Sequence, residues 1–282
     1  YGTQYWIQGD PVKGPLRGDD SQIIMDQALT FLRNSAKEKK PFLAVIWFHA
    51  PHLPVVASEA DRKPYIRHGK YAQHYMGSVA AMDRQVGRLR TELETLGVAG
   101  DTLVCFCSDN GPEGKETAPG LAGALRGRKR SLYEGGIRVP GLAVWPGRIK
   151  PGTKTVMPAT THDYLPTILA AAGLTYPDSR PLDGISLLPV FKNPSLHREA
   201  GIGFQSGNQV AWIEDQYKLY GSSSGSKKER NPKKVRFELY DLLSDPGEKK
   251  NLATIKPRLL AKKIEIYRAW QASCRQSLEH GP

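Results

Sequence analysis

Three short segments carry side chains whose types and spacing could do chemistry. The first is Ser108-Asp109-Asn110-Gly111, directly after the apolar run Thr102–Cys107. A carboxylate beside an amide places two hard oxygen donors together, the donor type that calcium and, less readily, magnesium prefer. The same residues also make an ordinary turn, and two ligands do not complete a calcium shell of about six to eight oxygens. The second is His52 in HAPHLP (49–54), after the apolar run Phe42–Phe48. A histidine at a strand end between stiffening prolines suits a general acid. It suits equally a loop histidine with a satisfied hydrogen bond, and His49 reads as structural. The third is Leu125-Arg126-Gly127-Arg128-Lys129-Arg130, followed by Tyr133-Glu134-Gly135-Gly136-Ile137-Arg138. Cations crowded at a Gly-rich turn suit a phosphate or sulfate group; a solvated charged face is the competing reading.

The elements that must position these segments follow from the hydrophobic pattern. Ile24, Ala28, Phe31 and Leu32 share helical spacing after Asp20 or Ser21, either a natural N-cap. Phe42–Phe48 is an unbroken apolar run of strand length, the pattern of a strand buried on both faces in a parallel sheet. Residues 57–74 read as irregular. Val79, Met82, Val86, Leu89, Leu93 and Leu96 form one stripe of a helix from about Tyr75, stopped by Gly97. Residues 102–107 and 141–145 read as two further strands, and Thr161 caps a helix to Ala172 that Gly173 closes. Strand and helix alternate, so the fold class predicted is α/β, a three-layer, mostly parallel sheet with flanking helices. In such sheets ligands sit beyond the carboxyl ends of the strands, where HAPHLP and SDNG both fall. From about residue 196 the pattern changes: 211–220 and 235–243 read as antiparallel strands and 257–273 as a helix. The predicted organisation is an α/β portion over 1–195 and a small α+β subdomain over 196–282.

Composition narrows the function classes. The 282 residues hold 28 Gly and 21 Pro, with a formal net charge of +12. This fits a loop-rich globular chain and excludes collagenous, coiled-coil or largely disordered ones. The positive excess favours an anionic partner: nucleic acid, anionic lipid or an anionic substrate. No apolar run approaches the roughly 18 residues of a membrane span, and the first ten residues show no signal-peptide core. Cys105 and Cys107 share one strand face and read as buried small hydrophobes. Nucleic-acid binding is not expected, because no recognised motif and no aromatic platform accompany the cations.

In their order and spacing, HAPHLP, SDNGPEG, LRGRKRSLYEGGIRVPGLAVWPG and ELYDLLSDPGEKKNLA resemble the sulfatases of the alkaline phosphatase superfamily. The resemblance runs through nearly the whole chain, and YEGGIRVP and LYDLLSDPGEKKNL are its specific parts. It implies that Asp109 and Asn110 are two ligands of an active-site calcium. It implies that Lys129 holds a sulfate oxygen and that His52 bonds and helps protonate the leaving-group oxygen. Glu134–Arg138 would mainly shape the loop that presents Lys129. The substrate implied is a sulfated carbohydrate or an aryl sulfate, attacked by a hydrated formylglycine, and the location implied is periplasmic or secreted.

Several parts of the family pattern are absent from these 282 residues. No Cys or Ser begins the C/S-x-P-S-R motif from which formylglycine is made. The G-K-x-H segment and a strand ending in Asp-Asp are also missing, and Asp19-Asp20 reads as helix capping. The expectation is the C-terminal part of a sulfatase, inactive alone and prone to self-association through exposed sheet edges and apolar faces. Two other readings compete. One is a phosphodiesterase or phosphonate monoester hydrolase of the same superfamily. The other is a non-catalytic polyanion-binding module using the basic stretches Arg62–Lys70 and Lys227–Arg236.

Overall fold

The structure, a computed structural model, describes residues 5–7, 9–14, 16–114, 118–176, 182–223 and 235–280. Most of the basic stretch Lys227–Arg236 lies outside these residues. The chain divides into two compact units, Tyr1–Thr102 and Leu103–Pro282. The change of character expected near residue 195 falls within the second.

In the first unit, β1 (Trp6–Ile7) pairs antiparallel with β2 (Asp10–Pro11). Helix α1 spans Asp20–Lys37. Its N-cap is Asp19, one residue earlier than expected, whose carboxylate accepts from the Gln22 N–H at 3.1 Å. Asp20 is thereby free for tertiary work: it accepts from the Tyr5 hydroxyl at 2.7 Å and lies 2.8 Å from His49 Nδ1. The stretch expected to be irregular contains α2 (Glu59–Arg62), capped by the Ser58 side chain, and a 3-10 turn at Lys63–Tyr65. Helix α3 runs Lys70–Thr95, starting earlier than Tyr75, and Gly97 turns the chain at φ 70°. Its buried line is Ser78, Ala81, Gln85 and Leu93, while Val79, Met82, Val86 and Leu89 are half-buried. Ion pairs account for this rotation: Arg88 bonds Asp26 and Glu92 bonds Arg33, both at 2.7 Å, which fixes the α3 face that meets α1. Met25, Leu29 and Leu32 of α1 form the fully buried side of that contact.

Phe42–Phe48 departs from expectation. No described strand pairs with it, and an extended segment becomes a strand only when its backbone groups find a ladder partner. Its alternate side chains Leu43, Val45 and Trp47 are 62%, 68% and 82% exposed, so the run is not buried on both faces.

In the second unit, β3 (Val104–Cys107) pairs with β4 (Gly141–Val144). The pairing is antiparallel, as is every strand pair among the described residues, not the parallel order expected of these strands. Cys105 is exposed rather than buried. The four-residue helix α4 (Glu134–Ile137) lies between β3 and β4 in sequence. Thr160, not Thr161, caps a 3-10 turn that continues into α5 (Tyr164–Ala172), with Asp163 completing the capping box. Gly173 closes α5 in the left-handed region at φ 68°. Helix α6 (Leu188–Lys192) follows. Asp163 is fully buried and clamps Arg198 through two hydrogen bonds of 2.8 and 2.9 Å.

Four strands then form one antiparallel sheet in chain order: β5 (Ile202–Ser206), β6 (Gln209–Glu214), β7 (Tyr217–Ser223) and β8 (Val235–Asp241). The single strand expected over 211–220 is two strands, because Asp215 takes φ 54° in a two-residue hairpin turn. Helix α7 (Pro257–His280) packs on β6 and β7, longer than expected. Val210, Trp212, Leu219 and Tyr267 fill that contact; Leu132, Ala211, Tyr220 and Tyr240 form a second cluster, where Tyr133 and Ile137 also pack.

Candidate active site

Strand β3 delivers the chain into the loop 108–114. The Ser108 hydroxyl donates to the Asn110 carbonyl at 2.9 Å, and Asn110 Nδ2 donates to the Gly111 carbonyl at 3.0 Å. These bonds fix the loop without using the oxygens of interest. The Asp109 carboxylate is exposed, and neither it nor Asn110 Oδ1 has a protein partner among the described residues.

The basic loop is stitched to this loop main chain to main chain. The Gly111 N–H donates to the Gly136 carbonyl at 2.9 Å, the Lys129 N–H to Pro112 at 3.1 Å, and the Gly135 N–H to Arg126 at 2.6 Å. Such an approach leaves no room for a side chain. A Cβ on Gly111 would stand 1.9 Å from the Gly135 carbonyl oxygen, and one on Gly135 2.2 Å from that of Gly127. The paired glycines of YEGGIRVP are thus a steric requirement.

Each cation of the run has its own task. Arg128 donates to three carbonyls, of Gly120, Glu113 and Gly114, at 2.6, 3.0 and 3.1 Å. Arg126 lies 3.8 Å over the Tyr133 ring and donates to the Tyr240 hydroxyl at 2.9 Å. Arg130, held at φ 75°, pairs with Glu113 at 2.5 Å. Lys129 Nζ is 3.4 Å from the other Glu113 oxygen, the loosest hold of the four. The bond from Arg130 chiefly draws the Glu113 carboxyl down to about 2. The run is therefore loop scaffolding around one lightly restrained amine, not a uniformly solvated face.

Behind this loop lies a group that sequence reasoning passed over. Lys218 of β7, fully buried, sits 2.9 Å from Glu134 and 2.9 Å from Glu248. Glu248 also accepts from the Glu134 N–H at 2.6 Å. Burial pushes the Glu248 carboxyl upward against the pull of Lys218. These partners are 84 and 114 positions apart, so no local spacing could reveal them. The one available signal is a lysine inside the apolar strand pattern YKLY. Tyr133 continues the same support: its hydroxyl donates to Glu238 at 2.7 Å and its ring stacks on Tyr220 at 3.9 Å.

His52 belongs to the first unit. It is exposed, its N–H donates to the His49 carbonyl at 2.6 Å, and Nδ1 lies 2.7 Å from the Leu53 carbonyl. A nitrogen facing a carbonyl carries the proton, so Nε2 is the ring atom left for other chemistry. His49 is structural as expected, through Asp20.

The family profile described as Sulfatase matches residues 2–174, more than half of the chain. The chain belongs to the sulfatase family. It is 35% identical over 202 residues to the steryl-sulfatase of Rattus norvegicus, covering 68% of this chain and 34% of that protein. It is 36% identical over 210 residues to the N-acetylgalactosamine-6-sulfatase of Homo sapiens, covering 71% and 38%. The crystal structure of Ps i-CgsB in complex with k-i-k-neocarrahexaose superposes with a TM-score of 0.81 at 27% identity, covering 93% of this chain and 56% of that one. This sulfatase chain thus has the α/β, alkaline-phosphatase-like fold that its motifs suggest, with the antiparallel subdomain in its C-terminal part. It spans about a third of the length of the curated relatives it matches. HAPHLP, SDNG and YEGGIRVP lie within the matched span, whereas LYDLLSDPGEKKNL lies beyond it.

A hard divalent cation fits the oxygens present, because Asp109 and Asn110 Oδ1 have no protein partners among the described residues and the loop's bonds given above use other atoms. The described residues contain no group of three or more His, Cys, Asp or Glu able to hold a metal.

Proposed function

We propose that the whole protein hydrolyses sulfate monoesters of a carbohydrate or aryl alcohol. The observation that carries this reading is the stitching of the 108–114 loop to the basic loop. It brings two oxygen ligands without partners among the described residues and a lightly held lysine to neighbouring loops of one unit. Asp109 and Asn110 would hold a calcium ion, which when bound supplies positive charge to a sulfate oxygen. Lys129 swings from Glu113 to a second sulfate oxygen and offsets charge as it builds in the transition state. Arg128 and Arg130 stay with their loop partners and keep the lysine's backbone in place. For His52 the family resemblance implies the role of giving the leaving oxygen a proton, for which Nε2 is the ring atom left and the imidazole must be charged. The nucleophile would be a formylglycine, for which these 282 residues hold no C/S-x-P-S-R motif. A carbohydrate substrate draws support from relatives named for, or solved with, sugars.

Turnover of nitrophenyl sulfate and nitrophenyl phosphate by the whole protein tests this reading. Sulfate ester hydrolysis should dominate, and K129A should lower kcat by about a hundredfold or more. Preference for the phosphate ester would favour the phosphodiesterase or phosphonate hydrolase reading. A K129A variant with unchanged sulfate turnover would overturn the role of Lys129.

A further inference from the structure

We propose that Lys218 and Glu248, both contributed by the C-terminal part of the chain, are positioning residues that set the spacing between the Asp109–Asn110 loop and the Lys129 loop. The inference rests on the candidate site described above, and its test does not require turnover.

One peptide segment, 134–136, ties the parts together. The Glu134 N–H is fixed by the Glu248 carboxylate at 2.6 Å, and the Glu134 carboxylate by Lys218 at 2.9 Å. The next residue, Gly135, uses its N–H to hold the Arg126 carbonyl, at the start of the basic run. The residue after that, Gly136, uses its carbonyl to hold the Gly111 N–H, beside the metal pair. Three consecutive residues thus take one anchor from the C-terminal part and one from each functional loop. The Lys129 N–H to Pro112 bond closes the circuit between the loops.

Two further features separate this arrangement from a mere core ion pair. First, two carboxylates surround one ammonium, with Lys218, Glu134 and Glu248 only 0%, 3% and 1% exposed. Arg138 reaches the Glu134 carboxylate only at 3.7 Å and from an exposed position, and burying charged groups in this way is a poor route to stability, since desolvation outweighs much of the attraction. Second, Glu248 adopts φ 53°, a conformation that costs a non-glycine residue free energy and persists where the surroundings impose it. That conformation follows the Asp245-Pro246-Gly247 turn and delivers the carboxylate to the Glu134 N–H. The main chain accepts strain to place one anchor. Arg126 adds a parallel tie, donating to the Glu248 carbonyl at 3.3 Å.

Amide hydrogen exchange of E248Q against the wild type, followed residue by residue, tests the assignment. The substitution keeps shape, and leaves Lys218 balanced by Glu134. The expected result is at least a tenfold rise in exchange at Gly111, Lys129 and Gly135, with Val210 and Leu219 of the sheet unchanged. Acceleration confined to Glu134, with Gly111 and Lys129 unchanged, would overturn the proposal. Should E248Q fail to fold, the wild type in low denaturant serves instead. Glu134, Gly111, Lys129 and Gly135 should then open as one unit with one denaturant slope, and separate opening would overturn it. Where the whole protein turns over sulfate esters, kcat of E248Q should fall by about tenfold with KM within threefold. A lack of turnover in the wild type bears on the proposed function alone, because the exchange result stands apart from it.

Discussion

Two regions of this chain, each bearing a candidate functional side chain, are built in opposite ways. Around Asp109, Asn110 and Lys129, main-chain bonds, three arginines and a buried Glu–Lys–Glu group hold the loops from behind. Around His52, the ring is steadied by its own neighbour's carbonyl, and the preceding apolar run shows Leu43, Val45 and Trp47 to solvent. The first region is a finished cradle within its unit. The second has the sequence of a buried element without, among the described residues, the pairing that would bury it. Apolar pattern states what a segment is suited to, and ladder partners decide what it becomes.

The largest effect that would break this contrast is steric. Gly135→Ala places a methyl 2.2 Å from the Gly127 carbonyl oxygen and 2.7 Å from that of Arg126, where neither backbone atom can give way. Stability of the second unit should fall by about 3 kcal/mol or more, the upper range of overpacking, seen as a lower urea midpoint. A midpoint within experimental scatter of the wild type would show that the cradle is looser than described. A smaller effect sharpens the other side. The triple substitution Leu43→Ser, Val45→Ser and Trp47→Ser should change the stability of this chain by no more than about 0.5 kcal/mol, as for exposed sites. It should reduce self-association in sedimentation velocity, since it removes an exposed apolar row. Marked destabilisation would mean that the run is packed after all.

The smallest effect concerns Glu113. Its carboxyl is drawn from 4.5 to about 2, first by the Arg130 hydrogen bond. A depressed carboxyl contributes stability above its ordinary range and loses it as pH falls through the folded value. The Lys129–Glu113–Arg130 contact should therefore be indifferent to pH between 5 and 8 and fail only near pH 2. The Glu113 side-chain carboxyl resonance, followed by carbon NMR, checks this; a midpoint near 4.5 would mean the pairing is not kept in solution.

Much of this was legible in the residues themselves. Helix α1, the stop at Gly97, the α5 helix with its Gly173 closure and the antiparallel tail all follow from spacing and capping chemistry. The motif segments pointed to the family; the pairing of SDNG with the basic loop through their glycines is seen only in the structure. What spacing could not supply was long-range. Asp20 reads as a helix cap until His49 and Tyr5 are seen to claim it. YKLY reads as an ordinary strand until Lys218 meets two carboxylates from distant segments. Phe42–Phe48 reads as a buried strand because composition records no partner, only suitability for one.

The meeting of Gly111, Gly127, Gly135 and Gly136 carries a consequence for how such a site can diversify. Where peptide groups of two loops meet directly at glycines, the separation there is a constant of backbone geometry, as in a machined spacer. Side chains at the rim can then be exchanged for others, larger or smaller, acidic or basic, without moving Asp109 and Asn110 relative to Lys129. A site so built keeps its gauge in glycine and leaves the side chains around it free to vary.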